Sequence, residues 1–274
     1  MTFSRHIPRK RFGQHWLKDE DVLRKIINAA DIQSQDRVLE IGPGRGALTE
    51  KLLNSRAALI HAIELDFDLI NGLRKRFSDQ PRFTLKQGDV LSVSLSPPDG
   101  RQVNKIVANI PYNITAPLLD RLLGRLGHPS ETIYQRLVLL LQKEVADRIV
   151  ANPGESAFSA MSVRMQLLAN CSCICEVSPR CFKPSPKVHS KVVLIEPLRE
   201  IDRLAVNVEK RIERLLKTAF LSRRKKIRNT LFNVSPISEL EPLAKGLGIS
   251  LDKRPQDLSL MQWISLASCL EEMS

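Results

Sequence analysis

Asn109-Ile110-Pro111-Tyr112 places an amide side chain, a proline-held backbone carbonyl and an aromatic face within four residues, at the end of an apolar run. Such a group can grip a planar amine such as adenine N6. Carbonyl oxygens from Asn109 and from the Ile110 backbone would accept the two amine hydrogens and favour a more tetrahedral nitrogen. Positive charge developing on that nitrogen would be stabilised by the two dipoles and by the Tyr112 face. The chemistry this suits is an in-line displacement at an activated methyl carbon, where the protein mainly positions and orients.

Upstream lies a glycine loop, Glu40-Ile41-Gly42-Pro43-Gly44-Arg45-Gly46. Gly42, Gly44 and Gly46 allow a tight turn and close approach to a cofactor. Taken alone, Gly42-x-Gly44-x-x-Ala47 also satisfies the dinucleotide fingerprint, and Glu64 suits ribose hydroxyls in either case. Glu40 and Asp89 favour S-adenosyl-L-methionine over a nicotinamide cofactor. A carboxylate beside the loop suits a sulfonium cation better than a pyrophosphate, and Asp89 can accept from an adenine amino group. Because N6 is occupied within a duplex, the base must be flipped or unpaired. A second aromatic is then expected on its far side. Phe182, in Cys181-Phe182-Lys183-Pro184-Ser185-Pro186-Lys187, is the candidate, with Lys183 and Lys187 for flanking phosphates.

The elements that must carry these residues follow from periodicity. Short apolar strands are expected over 37–41, 58–65, 83–86, 105–108 and 136–141, alternating with helices over 47–53, 67–77 and 115–126. That alternation implies a parallel sheet covered on both faces. Gly42, Glu64, Asp89 and Asn109 all fall at the C-terminal strand ends, the edge where open α/β sheets bind ligands. A helix over 158–169 and strands over 172–177 and 191–195 follow. Beyond Pro197 the strand signals stop. Leu204, Val208, Ile212, Leu215, Leu216, Ala219 and Phe220 make a helical stripe. Ser238 to Glu241 reads as a capping box, and a last helix spans 258–270. The expected division is therefore a domain of 1–198 with a basic N-terminal arm and a small helical domain of 199–274.

The 274 residues carry a net charge of +12, which favours a polyanionic partner, most simply nucleic acid, over a merely basic surface. No apolar run is long enough to span a bilayer, and the polar N-terminus does not read as a secretory signal. With five cysteines, an odd number, reduced thiols in a cytoplasmic protein are expected. Cys171, Cys173 and Cys175 alternate on one strand face without a CxxC pair, so buried small side chains are expected there, and no metal site.

These motifs together resemble the small-subunit (16S) ribosomal RNA adenine N6,N6-dimethyltransferase family, and the resemblance covers nearly the whole chain. It rests on Lys10–Leu17, the loop 38–49, Glu64-Leu65-Asp66, Gly88-Asp89, Asn109–Asn113, 182–188, Phe220–Asn229 and Arg254-Pro255-Gln256-Asp257-Leu258-Ser259. The resemblance implies a Rossmann-like class I S-adenosyl-L-methionine-dependent methyltransferase domain followed by a small helical one. It implies as substrate two adjacent adenosines near the 3′ end of the small-subunit rRNA, within the 30S particle, and a role in small-subunit biogenesis. By position, His15, Leu17, Gly42, Glu64, Asp89 and Asn109 would line the cofactor pocket, with Asn109, Tyr112 and Phe182 facing the base. The family more often has Asn at His15 and Leu at Ile110. Arg223, Arg224, Lys225, Lys226 and Arg228 are the expected RNA-binding run. A monomer is expected. Two alternatives stay open: the large-subunit (23S) rRNA methyltransferases of antibiotic resistance, which share Asn-Ile-Pro-Tyr, and an assembly factor without catalysis. The longer helical C-terminus weighs against the first, and the intact Glu64, Asp89 and Asn109 set against the second.

Overall fold

The computed structural model describes residues 14–132, 134–232 and 234–270. The basic arm with Arg5, His6, Arg9, Lys10 and Arg11 lies outside the described residues. Two compact units emerge, each assembled from separate stretches of chain. The first takes 1–123, 132–146 and 172–197, and the second 124–131, 147–171 and 198–274.

Among the described residues, seven strands form the main sheet. Their spatial order is Phe83–Gln87, Leu59–Glu64, Arg37–Ile41, Lys105–Asn109, Arg136–Gln142, Ser190–Pro197 and Ala169–Val177. The first five run parallel, and Ser190–Pro197 pairs antiparallel with Arg136–Gln142. Val38, Leu39, Ile106, Val107, Leu139 and Leu140 are fully buried, as central strands covered on both faces require. Successive strands are added on one side of Arg37–Ile41 as far as Phe83–Gln87, and Lys105–Asn109 then returns to its other side. A crevice opens at that switch point, beyond the C-terminal strand ends.

Helix starts follow their caps. Asp66 caps Phe67–Arg76 by accepting from the Asp68 N–H, and Asp19 caps Glu20–Ala30 through the Val22 and Asp21 N–H groups. The helix Thr115–Leu123 stops short of the expected 126 because Gly124 takes φ +76° into a tight hairpin with His128-Pro129. A helix at Lys143–Val150 was not expected; it follows its strand without any Gly or Pro to mark the change of period.

The second unit is helical around the long Val206–Ala219 helix and Leu260–Cys269, with Trp263 fully buried. Its composition departs from a boundary at 198/199. The helix Ala160–Leu168 belongs here, packing on Val206–Ala219 and Leu260–Cys269. The expected capping box at Ser238 and Glu241 does not form: both lie inside the helix Ile237–Gly246, which starts after Pro236 with no side-chain cap. A capping box does open the last helix, from Ser259 and Gln262. Cys173 is exposed and Cys171 and Cys175 only half-buried, a correction that follows from their strand being the outermost of the sheet. Among the described residues no group of three His, Cys, Asp or Glu side chains is arranged to hold a metal. None of their helices is long and apolar enough to cross a membrane.

Candidate active site

The crevice holds a cavity of about 330 Å³, lined by residues of the first unit from four strand ends. Gly42, Gly44, Glu64, Asp89, Asn109 and Tyr112 all line it, as does His15. The loop folds as its glycines dictate: Gly42, Gly44 and Gly46 have φ of +67°, +60° and +82°. Gly44 also has no room for a Cβ, since one built there would sit 2.7 Å from Trp16 Cδ1. Arg45 lies over that same indole, its guanidinium carbon 4.1 Å from the ring centre. Gly44→Ala therefore combines left-handed backbone strain of ~1–2 kcal/mol with displacement of Trp16. The expected result is a roughly tenfold or greater loss of S-adenosyl-L-methionine affinity, read by calorimetry, and altered tryptophan fluorescence.

Glu64 is buried, and its two oxygens accept from the Gly44 N–H at 3.0 Å and the Asp66 N–H at 2.8 Å. Burial raises its pKa, and the two N–H groups oppose the rise. The carboxyl thus ties the loop to the next strand and still has lone pairs for hydroxyl donors. Asp89 is exposed at the cavity wall, with Oδ1 accepting from the Leu91 N–H at 2.8 Å and Oδ2 left over. Two carboxylates, apolar Ile63, Leu65 and Val90, and a glycine loop form a donor set that fits a cationic nucleoside such as S-adenosyl-L-methionine.

Asn109 is held by an unforeseen partner. Its Nδ2 donates to the His15 carbonyl at 2.8 Å, so the amide orientation is set and Oδ1 is left to accept. The His15 ring stacks on Tyr112, with centres 6.0 Å apart and planes 24° from parallel. Its Nδ1 lies 2.9 Å from the Pro184 carbonyl; a carbonyl only accepts, so Nδ1 carries the hydrogen. His15 thus acts through its backbone carbonyl, its ring face and its Nδ1–H together.

Three expectations are corrected. Phe182 does not face the cavity. It is 3% exposed, in the core cluster, on a two-residue strand paired with Trp16-Leu17. Leu17 is likewise a core residue, 5% exposed, while its neighbours His15 and Trp16 line the cavity. Glu40 does not line the cavity either: it lies 1% exposed, next to Thr49 of the following helix. Burial pushes its pKa to about 8, so at neutral pH it is mostly an uncharged acid. Trp16 and Gln14, whose Nε2 donates to Asp66 at 2.7 Å, were missed as site residues. Only their place in the family-like stretch before Leu17 pointed to them.

The basic run splits by role within the second unit. Arg223 donates to the Ser156 and Phe158 carbonyls, both at 2.8 Å. Lys226 pairs with Asp252, and Arg228 with Glu241 and Asp252. Arg224 and Lys225 are exposed and have no ion-pair partner among the described residues. Replacing Arg224 and Lys225 by Ala should flatten the log–log salt slope of RNA binding by about 2, with thermal stability unchanged. Arg223→Ala should instead lower stability.

A family model described as "Ribosomal RNA adenine dimethylase" matches residues 5–272. "Ribosomal RNA small subunit methyltransferase A" of Prochlorococcus marinus (strain MIT 9211) is 65% identical over 273 residues, covering 100% of this chain and 97% of the relative. Among solved structures, a dimethyladenosine transferase from Plasmodium falciparum superposes with a TM-score of 0.79 at 28% identity, over 94% of this chain and 98% of that one. The 23S rRNA methyltransferase ErmE gives 0.76 at 26% identity, over 93% and 99%. The fold is thus that of the Rossmann-like class I methyltransferases, the cofactor is S-adenosyl-L-methionine, and the chain belongs to the ribosomal RNA adenine dimethylase family.

Proposed function

We propose that this protein dimethylates N6 of two adjacent adenosines near the 3′ end of small-subunit rRNA, acting as a monomer on the 30S particle during its assembly. The observation that carries the reading is the bond from Asn109 Nδ2 to the His15 carbonyl, which leaves Asn109 Oδ1 as an acceptor in the cavity. S-adenosyl-L-methionine, when bound, supplies an electrophilic methyl group. Asn109 Oδ1 and the Ile110 carbonyl accept the N6 hydrogens and orient the nitrogen. Tyr112 presents its face to the base. No strong base is required, because the proton leaves after transfer. Lys183 and Lys187, both exposed, suit the phosphates on either side of the flipped nucleotide. Arg224 and Lys225 add contacts that position without reading sequence.

Small-subunit rRNA is favoured over the large-subunit alternative by the 65% identity to a small-subunit methyltransferase against 26% to ErmE. The test is transfer of labelled methyl groups to undermethylated small subunits, with large subunits in parallel, followed by nucleoside analysis. N6,N6-dimethyladenosine in small subunits alone supports the proposal. Label in large subunits moves the protein to the other target, and binding without label leaves an assembly factor.

A further inference from the structure

Ser190 opens the strand Ser190–Pro197, is fully buried, and is a residue the reaction as described does not use. Its Oγ lies 2.8 Å from the Tyr112 hydroxyl. Among the described residues the phenol hydroxyl meets Ser190 and the ring stacks on His15, so the two contacts restrain it at its tip and on its face. Ser190 is itself fixed from both sides. Its backbone pairs with Gln142. The preceding carbonyl, of His189, accepts from the Lys143 N–H at 2.9 Å. The His189 ring and the Lys143 ammonium both meet Glu176 of the outermost strand, at 3.0 and 2.7 Å. A continuous set of bonds thus runs from the sheet edge to the ring that lines the cavity.

We propose that Ser190 is a positioning residue for methyl transfer: its hydroxyl anchors the Tyr112 phenol and so fixes the aromatic face against which the base reacts. This rests on the reading of Tyr112 as the base platform. An anchored ring holds the base in reactive geometry; a ring free to tilt does so for a smaller fraction of the time. Loss of one neutral hydrogen bond corresponds to a factor of roughly five to ten.

The experiment measures kcat on undermethylated small subunits, donor affinity by calorimetry, and thermal stability for Ser190→Ala, Tyr112→Phe, the double variant and Tyr112→Ala. The expected result is a five- to tenfold fall in kcat, on the order of one hydrogen bond, for each of Ser190→Ala and Tyr112→Phe, with donor affinity within about twofold. The double variant should be no worse than either single one. Tyr112→Phe reads the same bond from a half-buried position should Ser190→Ala fold poorly. Full kcat in Ser190→Ala and Tyr112→Phe, or losses that multiply in the double variant, would overturn the proposal while Tyr112→Ala still reports on the platform. Donor affinity and stability falling in step with kcat would make Ser190 merely structural. Full activity in Tyr112→Ala would remove the platform and the proposal with it.

Discussion

Asn109→Ala should lower kcat for methyl transfer to undermethylated small subunits by about 10²–10³-fold, the usual cost of removing one pre-oriented polar group from a reacting centre. The fold should survive, because Asn109 is half-buried at a strand end and its neighbours Ala108 and Val107 carry the packing. The large effect follows from pre-orientation. The His15 carbonyl takes the Nδ2 hydrogen at 2.8 Å, so Oδ1 pays no reorganisation when the amine arrives. Asn109→Asp is the sharper test. It keeps size but places an oxygen against the His15 carbonyl, and should be as inactive as Ala. Retention of full activity by Asn109→Ala in the small-subunit assay would refute the base-gripping mechanism.

Glu40→Gln should stabilise the protein in alkaline solution and do little in acid. Burial lifts the Glu40 pKa from 4.5 to about 8. Between those values the folded protein keeps a proton that the unfolded chain has released, so stability falls as pH rises through the window. Above about pH 8 the folded state must hold a buried carboxylate, with Glu64 adding repulsion. Gln reproduces the shape of the neutral acid and never ionises. The wild type and Glu40→Gln should unfold alike near pH 4.5, and by pH 9 the variant should lead by up to about 5 kcal/mol. Urea unfolding at the two pH values decides it. Parallel curves for both proteins across the range would mean that Glu40 is ionised in the fold.

The residues legible in the sequence are those that interrupt a pattern. Gly42, Glu64, Asp89 and Asn109 each end an apolar strand with a residue that packing does not call for, and all four line one cavity. Tyr112 was legible through its motif. Phe182 was assigned by its aromatic type and Leu17 by its position in the family-like stretch, and neither says which way a two-residue strand faces; here both side chains turn into the core. Glu40 sits next to the glycine loop in sequence, yet strand alternation takes its carboxyl to Thr49 and away from the ligand. No local signal links Trp16 to Gly44 or His15 to Asn109, since those contacts join distant stretches of chain. The basic run read as one surface, while the carboxylates and carbonyls that engage Arg223, Lys226 and Arg228 lie far away in sequence.

The helix Ala160–Leu168 belongs to a unit completed only by residues 198–274. During synthesis from the N-terminus, this helix, with its buried Val163, Leu167 and Leu168, emerges well before the helices Val206–Ala219 and Leu260–Cys269 that it packs on. A nascent chain stalled near residue 198 therefore presents apolar surface that lacks its later helical cover, even if every strand of its sheet has already been made.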